Sequence, residues 1–162
     1  MIRDAAAADH ARIVQLNADA VRFTSAMDGA RLAALAAEAA YLRVAERGGK
    51  PFAFLLAFRE QAAYDSPNYR WFAARYPRFL YIDRIVVDEA ERGSGWGRRL
   101  YEDLFRFAGD AGVEVVACEF DVDPPNPVSE HFHRRFGFTE AGRQRYGAAN
   151  KLISLQTAPV LR

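Results

Sequence analysis

The stretch that most limits the fold is "RFLYIDRIVVDEAERGSGWGRRLYEDLFRF", residues 78–107. It passes from an apolar run, through three glycines at alternate positions, into a helical repeat. Phe79 to Val87 is apolar on both parities, as a strand covered on both faces must be. Leu100, Leu104, Phe107 and Ala111 recur at helical spacing, which predicts a helix from about Gly95 to Ala111. A central strand feeding a helix through a glycine loop requires a layered mixture of sheet and helix. The loop also raises a chemical question, because backbone this exposed at a helix start is where anions bind. Glycine removes the Cβ atoms that would hold an anion away from the main chain, and Arg92, Arg98 and Arg99 add charged donors.

Spacing separates the possible anion sites. A phosphate-binding P-loop ends in Gly-Lys-Ser/Thr, whereas Arg98 and Arg99 follow Gly97 here. A dinucleotide fingerprint needs G-x-G-x-x-G directly after the strand; here the pattern is G-x-G-x-G, separated from Val87 by five residues. The competing reading is an ordinary glycine-rich turn between strand and helix.

The flanking sequence supplies the other layers. Ile2–Arg3 reads as a short strand, and Ile13, Leu16 and Ala20 mark a helix in "ADHARIVQLNADAVRF", which runs to Phe23 and for which Asp9 is placed as cap. A second, alanine-rich helix follows in "DGARLAALAAEAA". "YLRVAERGGKPFAFLLAF" reads as a hairpin turning at Gly48-Gly49. "QAAYDSPNYRWFAARYP" carries a short helix capped by Ser66, "VEVVACEFDV" is a strand, and Asn126-Pro127 opens a helix. "RYGAANKLISLQ" suggests a closing hairpin.

Two motifs now agree. Arg92-x-x-Gly95-x-Gly97 resembles the acyl-coenzyme A signature of the GNAT N-acetyltransferase superfamily, Q/R-x-x-G-x-G/A. Val122, Asn126, Ser129, Phe132, Gly137 and Phe138 stand at the places of a second family pattern, V-x-x-x-N-x-x-A/S-x-x-L/F-Y-x-x-x-G-F. "YDSPNYRWF", "IDRIVV" and "PPNPVSEHFHRRFGF" also look like a bacterial subgroup of that family, a likeness that carries no substrate with it. The resemblance implies one α/β (α+β) GNAT-like domain over residues 1–162. Its central sheet would be mixed, mostly antiparallel and twisted, with helices on both faces and a splayed central strand pair. It implies acetyl-coenzyme A as co-substrate and direct attack by an amine of a small molecule, peptide or protein. The alternative is a non-catalytic acyl-coenzyme A binding or sensing module. Dimers are common among similar folds.

Site residues follow from the same resemblance. Ile85, Val86 and Val87 match the strand that meets the pantetheine amides, and Arg92, Gly93, Ser94, Gly95, Trp96, Gly97 and Arg98 the pyrophosphate loop. Asn126 and Ser129 match the second cofactor segment, though Asn126 also reads as a helix cap. Val87 would give an oxyanion its backbone N–H. The thiol proton usually comes from a tyrosine after Phe132, where this chain has His133, a residue able to act as acid or shuttle near neutral pH. Asp121, directly before Val122, matches a carboxylate that some members use as base. Asp83 is the other candidate base, since it and Arg84 break the apolar strand toward opposite faces. Tyr64, Tyr69, Trp71 and Phe72 match a variable substrate-facing segment.

Composition excludes other classes. With 22 basic and 21 acidic residues the chain has no charge footprint for nucleic acid or an anionic membrane. Cys118 is the only cysteine, so no internal disulfide forms and a reducing, cytoplasmic setting is expected. "MIRDAAAADH" lacks the basic and apolar regions of a secretory signal, and no apolar run is long enough for a bilayer. Cys118 is expected in the core, and His10, His131 and His133 are too scattered for a metal site.

Overall fold

The computed structural model describes residues 1–21 and 24–161. In chain order it contains β1 (Ile2–Asp4), α1 (His10–Asp19), α2 (Gly29–Glu38), β2 (Tyr41–Arg47), β3 (Lys50–Arg59), α3 (Pro67–Ala73) and β4 (Phe79–Val87). There follow α4 (Trp96–Asp110), β5 (Val115–Asp123), α5 (Pro127–Arg135), β6 (Thr139–Tyr146) and β7 (Lys151–Pro159). Among the described residues the strands form one seven-stranded mixed sheet in the order β1-β2-β3-β4-β5-β7-β6. The β4–β5 pairing is parallel, with register Phe79↔Val115 to Tyr81↔Ala117, while β4 itself continues to Val87. Two compact units divide the chain: residues 1–58 with 82–106, and residues 59–81 with 107–162.

In the first unit β3 is buried over eight consecutive residues, Phe52 to Phe58 and Pro51 before them, as its unbroken apolar sequence requires. It pairs with β2 through Gly48 and Gly49, whose φ values of +61° and +82° are those of a two-residue hairpin turn. Helix α1 buries Ile13 and Leu16, and α2 buries Leu32 and Leu35. Helix α4 buries Leu100, Tyr101, Leu104 and Ala108, so the inward stripe lies one residue round from the expected Phe107 and Ala111. Asp9 stands before α1 but aims backward, accepting from the Ala6 N–H at 2.7 Å and pairing with Arg3. The α1 pattern was expected to run to Phe23; Arg22 and Phe23 lie outside the described residues.

In the second unit β5, β7 and β6 are antiparallel neighbours. Side chains alternate across them, so the two faces can be read from register. Phe120 lies opposite Ser154 and Cys118 opposite Gln156, and on that face Phe120 meets His133 of α5. On the other face the Tyr81 ring lies 5.8 Å from Phe72 of α3, and its hydroxyl donates to Glu119 at 2.8 Å. Ser66 caps α3 and Asn126 caps α5, each accepting the backbone N–H three residues on, as their positions predict.

Candidate active site

The glycine loop belongs to the first unit. Gly93 and Gly95 have φ of +81° and +82°, a region that side chains other than glycine rarely enter. A Cβ built at either one meets nothing within 4 Å, so conformation and not packing demands these glycines. Residues 92–95 are exposed. The first α-helical bond of α4 runs from Arg99 N–H to Gly95 O at 3.1 Å. The amides of Trp96, Gly97 and Arg98 precede it and have no acceptor within the helix. Trp96 packs its edge on Phe52 of β3 at 4.9 Å, and the Arg99 guanidinium lies 4.6 Å over its ring. That anchors the helix start while Arg92 and Arg98 stay exposed. Arg92 donates to the Val87 carbonyl at 3.3 Å, tying the loop to the end of β4. Open backbone, positive φ and flanking guanidinium groups fit a pyrophosphate.

Asp83 and Arg84 do not diverge as the alternation of β4 suggests. The arginine arm folds back and Nε donates to Asp83 Oδ2 at 2.6 Å, with both side chains 6% exposed. Nη1 continues to Asn17 Oδ1 of α1 at 3.1 Å and to the Ser25 carbonyl at 2.9 Å. The pair ties β4 to α1 and to the segment after it. Asp83 is thus engaged in a buried ion pair, which disfavours a role as free base.

In the second unit the α5 pattern places His133 among the rings of Phe120, Phe132 and Phe138, with centroids 5.3–5.6 Å away. Its Nδ1 lies 2.7 Å from the Ser129 carbonyl and 3.2 Å from the Ser129 hydroxyl. Burial lowers its pKa, an effect the Ser129 carbonyl partly offsets. The ring is therefore neutral near pH 7, with the Nδ1 proton directed at Ser129. A donor role at Nε2 first requires a proton to arrive there. Ser129, expected at the cofactor, spends its carbonyl and hydroxyl on His133. Asn126 spends its Oδ1 on the cap.

Asp121 is opposite Ile153 in register and lies 3.4 Å from Lys151 Nζ, so its carboxylate faces away from the Phe120–His133 side of β5. The structure does not bring Asp121 and His133 together.

Three of the four expected acceptor-facing aromatics are packing residues. Tyr69 is 2% exposed, its hydroxyl donating to Arg59 O at 2.6 Å and accepting from Ala62 N–H at 3.0 Å. Phe72 is fully buried against Tyr81. Trp71 lies on β6, where a Cβ at Gly142 would stand 2.4 Å from its ring, and Arg75 covers it at 3.9 Å. Tyr64, half-buried and 5.6 Å from the Tyr69 ring, keeps a partly open position, as does Trp71. Cys118 is buried, its thiol pushed up by desolvation and so kept from acting as a nucleophile.

One group of residues, Asn126 apart, had no signal in the sequence. A cavity of about 420 Å³ opens between α5 and the β5-β7-β6 face, lined by Asn126, Glu130, Arg134, Glu140 and Arg143 over a floor of Ser154 and Gln156. Among the described residues no cluster of His, Cys, Asp or Glu could hold a metal, and no helix is long and apolar enough to cross a membrane.

Comparison with known proteins matches residues 10–138 to the model of the acetyltransferase (GNAT) family. No curated protein matches the chain. Among solved structures, Ard1 from Thermoplasma volcanium superposes with TM-score 0.78 at 16% identity, covering 100% of this chain and 98% of that one. The ribosomal-protein-S18-alanine N-acetyltransferase of Escherichia coli gives 0.74 at 16% identity, covering 100% and 94%. The yncA protein of Salmonella typhimurium, solved with its cofactor acetyl-CoA, gives 0.74 at 21% identity, with the same coverage. At these identities the likeness establishes the fold.

Proposed function

Because the chain belongs to the GNAT acetyltransferase family, we propose that it moves an acetyl group from acetyl-coenzyme A to a primary amine by direct attack. The amine belongs to a small molecule, a peptide or a protein N-terminus. The observation that carries this reading is the exposed loop at Gly93 and Gly95, open above the backbone and leading into α4. Acetyl-coenzyme A supplies the acyl group as an activated thioester.

The chain's own residues supply binding and proton handling. Amides and guanidinium groups from Arg92 to Arg98 hold the pyrophosphate, and Ile85 to Val87 with Asn126 hold the pantetheine arm. The Val87 N–H stabilises the oxyanion. Asp121, partly exposed, takes a proton from the amine directly or through water. His133, neutral at rest, accepts a proton before it can pass one on. That last property favours a second reading, a binding module without turnover, since a neutral imidazole is a poorer donor than the tyrosine usual at its position.

Acetyl-coenzyme A is expected to raise the melting temperature while ATP and NAD leave it unchanged; equal shifts from all three overturn the reading. Free thiol released in the presence of an amine panel then separates enzyme from binding module. Gly95→Ala places a side chain at φ +82° without a steric clash. It is expected to weaken acetyl-coenzyme A binding about tenfold or more and to cost about 1–2 kcal/mol of stability.

A further inference from the structure

The cavity beside α5 is assembled by three independent features of the chain. The first is a bulge in β6: the register with β7 slips between Glu140 and Gly142, which leaves Ala141 as an extra residue. Glu140 then opposes Gln156 and Arg143 opposes Ser154, so both charged side chains face the cavity. Without the bulge, strand alternation would send Arg143 to the opposite face, where Gly142 and Gln144 meet α3.

The second feature is a polar floor. Ser154 and Gln156 are 1% and 6% exposed in a strand whose other face carries Ile153 and Leu155. Buried polar groups cost stability unless hydrogen-bonded, and these two form a relay. Gln156 Nε2 donates to Ser154 Oγ at 2.6 Å, and Ser154 Oγ donates to Glu140 Oε2 at 2.7 Å. Glu140 in turn accepts from Arg143 Nε at 2.9 and 3.1 Å. The Arg143 and Ser154 bonds hold the Glu140 carboxyl below its usual pKa, so it stays charged. The relay fixes the arginine through Nε alone, which leaves the two terminal nitrogens of its fork for a ligand.

The third feature is the α5 stripe of Asn126, Glu130 and Arg134, spaced four residues apart along one helix face. Arg134 Nη2 donates to Glu130 Oε1 at 2.7 Å. Apart from Asp121, whose carboxylate alternates to the other face of β5, two carboxylates and two guanidinium groups thus line one cavity, walled by Phe120 and Phe138. Its 420 Å³ lies within the range of small-molecule sites, about 300–1,000 Å³.

We propose that this cavity binds a small zwitterion of amino-acid type. The carboxylate pairs with the forks of Arg143 and Arg134, the ammonium with Glu130 and Glu140, and an apolar side chain lies against Phe120 and Phe138. A simple anion would meet two carboxylates and a simple cation two guanidinium groups, so a ligand carrying both charges is the one matched throughout.

The test is calorimetric titration of the intact protein, without acetyl-coenzyme A, using L-phenylalanine and L-leucine. Each is compared with its carboxamide, which lacks the carboxylate, and with its N-acetyl form, which lacks the ammonium. Saturable binding of the free amino acids is expected, about tenfold tighter than of either derivative. Arg143→Gln, at a half-exposed position, is expected to weaken binding about tenfold with little change in melting temperature. No saturable binding below about 10 mM overturns the proposal. So does equal binding of the carboxamides, or an unaffected Arg143→Gln. None of these outcomes touches acetyl transfer, which the cofactor and thiol-release measurements judge separately.

Discussion

Burial penalises the charged form of an imidazole, and His133 is held in an aromatic box that favours the neutral one. Its folded pKa is lowered from about 6.5, so below that pH the unfolded chain takes up a proton that the folded chain refuses. The stability it contributes is present above about pH 6.5 and is lost as pH falls through the window beneath it. The limiting slope is about 1.4 kcal/mol per pH unit. Denaturant unfolding of wild type and His133→Phe between pH 5 and 8 is expected to show the mutant less sensitive to acid. Parallel curves would place His133 outside the desolvated core. The chemical role separates in turnover, where His133→Phe is expected to lower kcat more than acetyl-coenzyme A affinity. The sequence marked His133 because it fills a tyrosine position, but its protonation state depends on Phe120 and Phe138, which only folding places around it.

At the scale of elements, α3 braces β6. Trp71 covers Gly142 of β6, and Asn68 accepts from Gln144 Nε2 at 2.7 Å. Gly142→Ala is expected to lose about 1–3 kcal/mol because its Cβ overlaps the indole. Trp71→Leu should relieve part of that loss in the double mutant, and thermal unfolding of the cycle tests it; strict additivity would remove the contact from the account. Tyr69 and Phe72 prove buried, because aromatics near a loop look the same in sequence whether they face a ligand or a neighbouring strand. The hairpin, the caps at Ser66 and Asn126 and the extent of β4 were legible because turn and cap chemistry is local. The Ala141 bulge was not. Ser154 and Gln156 alternate with apolar residues as a solvent-facing strand would, and nothing local tells a wet face from a cavity floor.

For the whole molecule, element order and the acetyltransferase fold could be read because the glycine loop and the Asn126–Phe138 pattern fall in one order and spacing. The acceptor could not, since the residues around any acceptor come from separate segments. Burial is also uneven across the sheet. β3 is covered along nearly its whole length, whereas most β6 residues are exposed. Amide hydrogen exchange is expected to protect β3 far longer than β6, because local opening needs little buried surface to be given up at the edge. Comparable protection in the two strands would contradict this gradient.

The strand order also decides what the sheet can do in a crowded solution. Its terminal strands are β1 and β6, and an unpaired strand edge is an invitation to another chain. β1 offers three residues, too few for a lasting ladder. β6 is longer, but it carries Glu140, Arg143 and Arg145 and is bent by its bulge. Neither rim is a good template for fibril growth. Copies of this chain that associate therefore have reason to do so through side-chain surfaces, leaving the backbone ladder closed to newcomers.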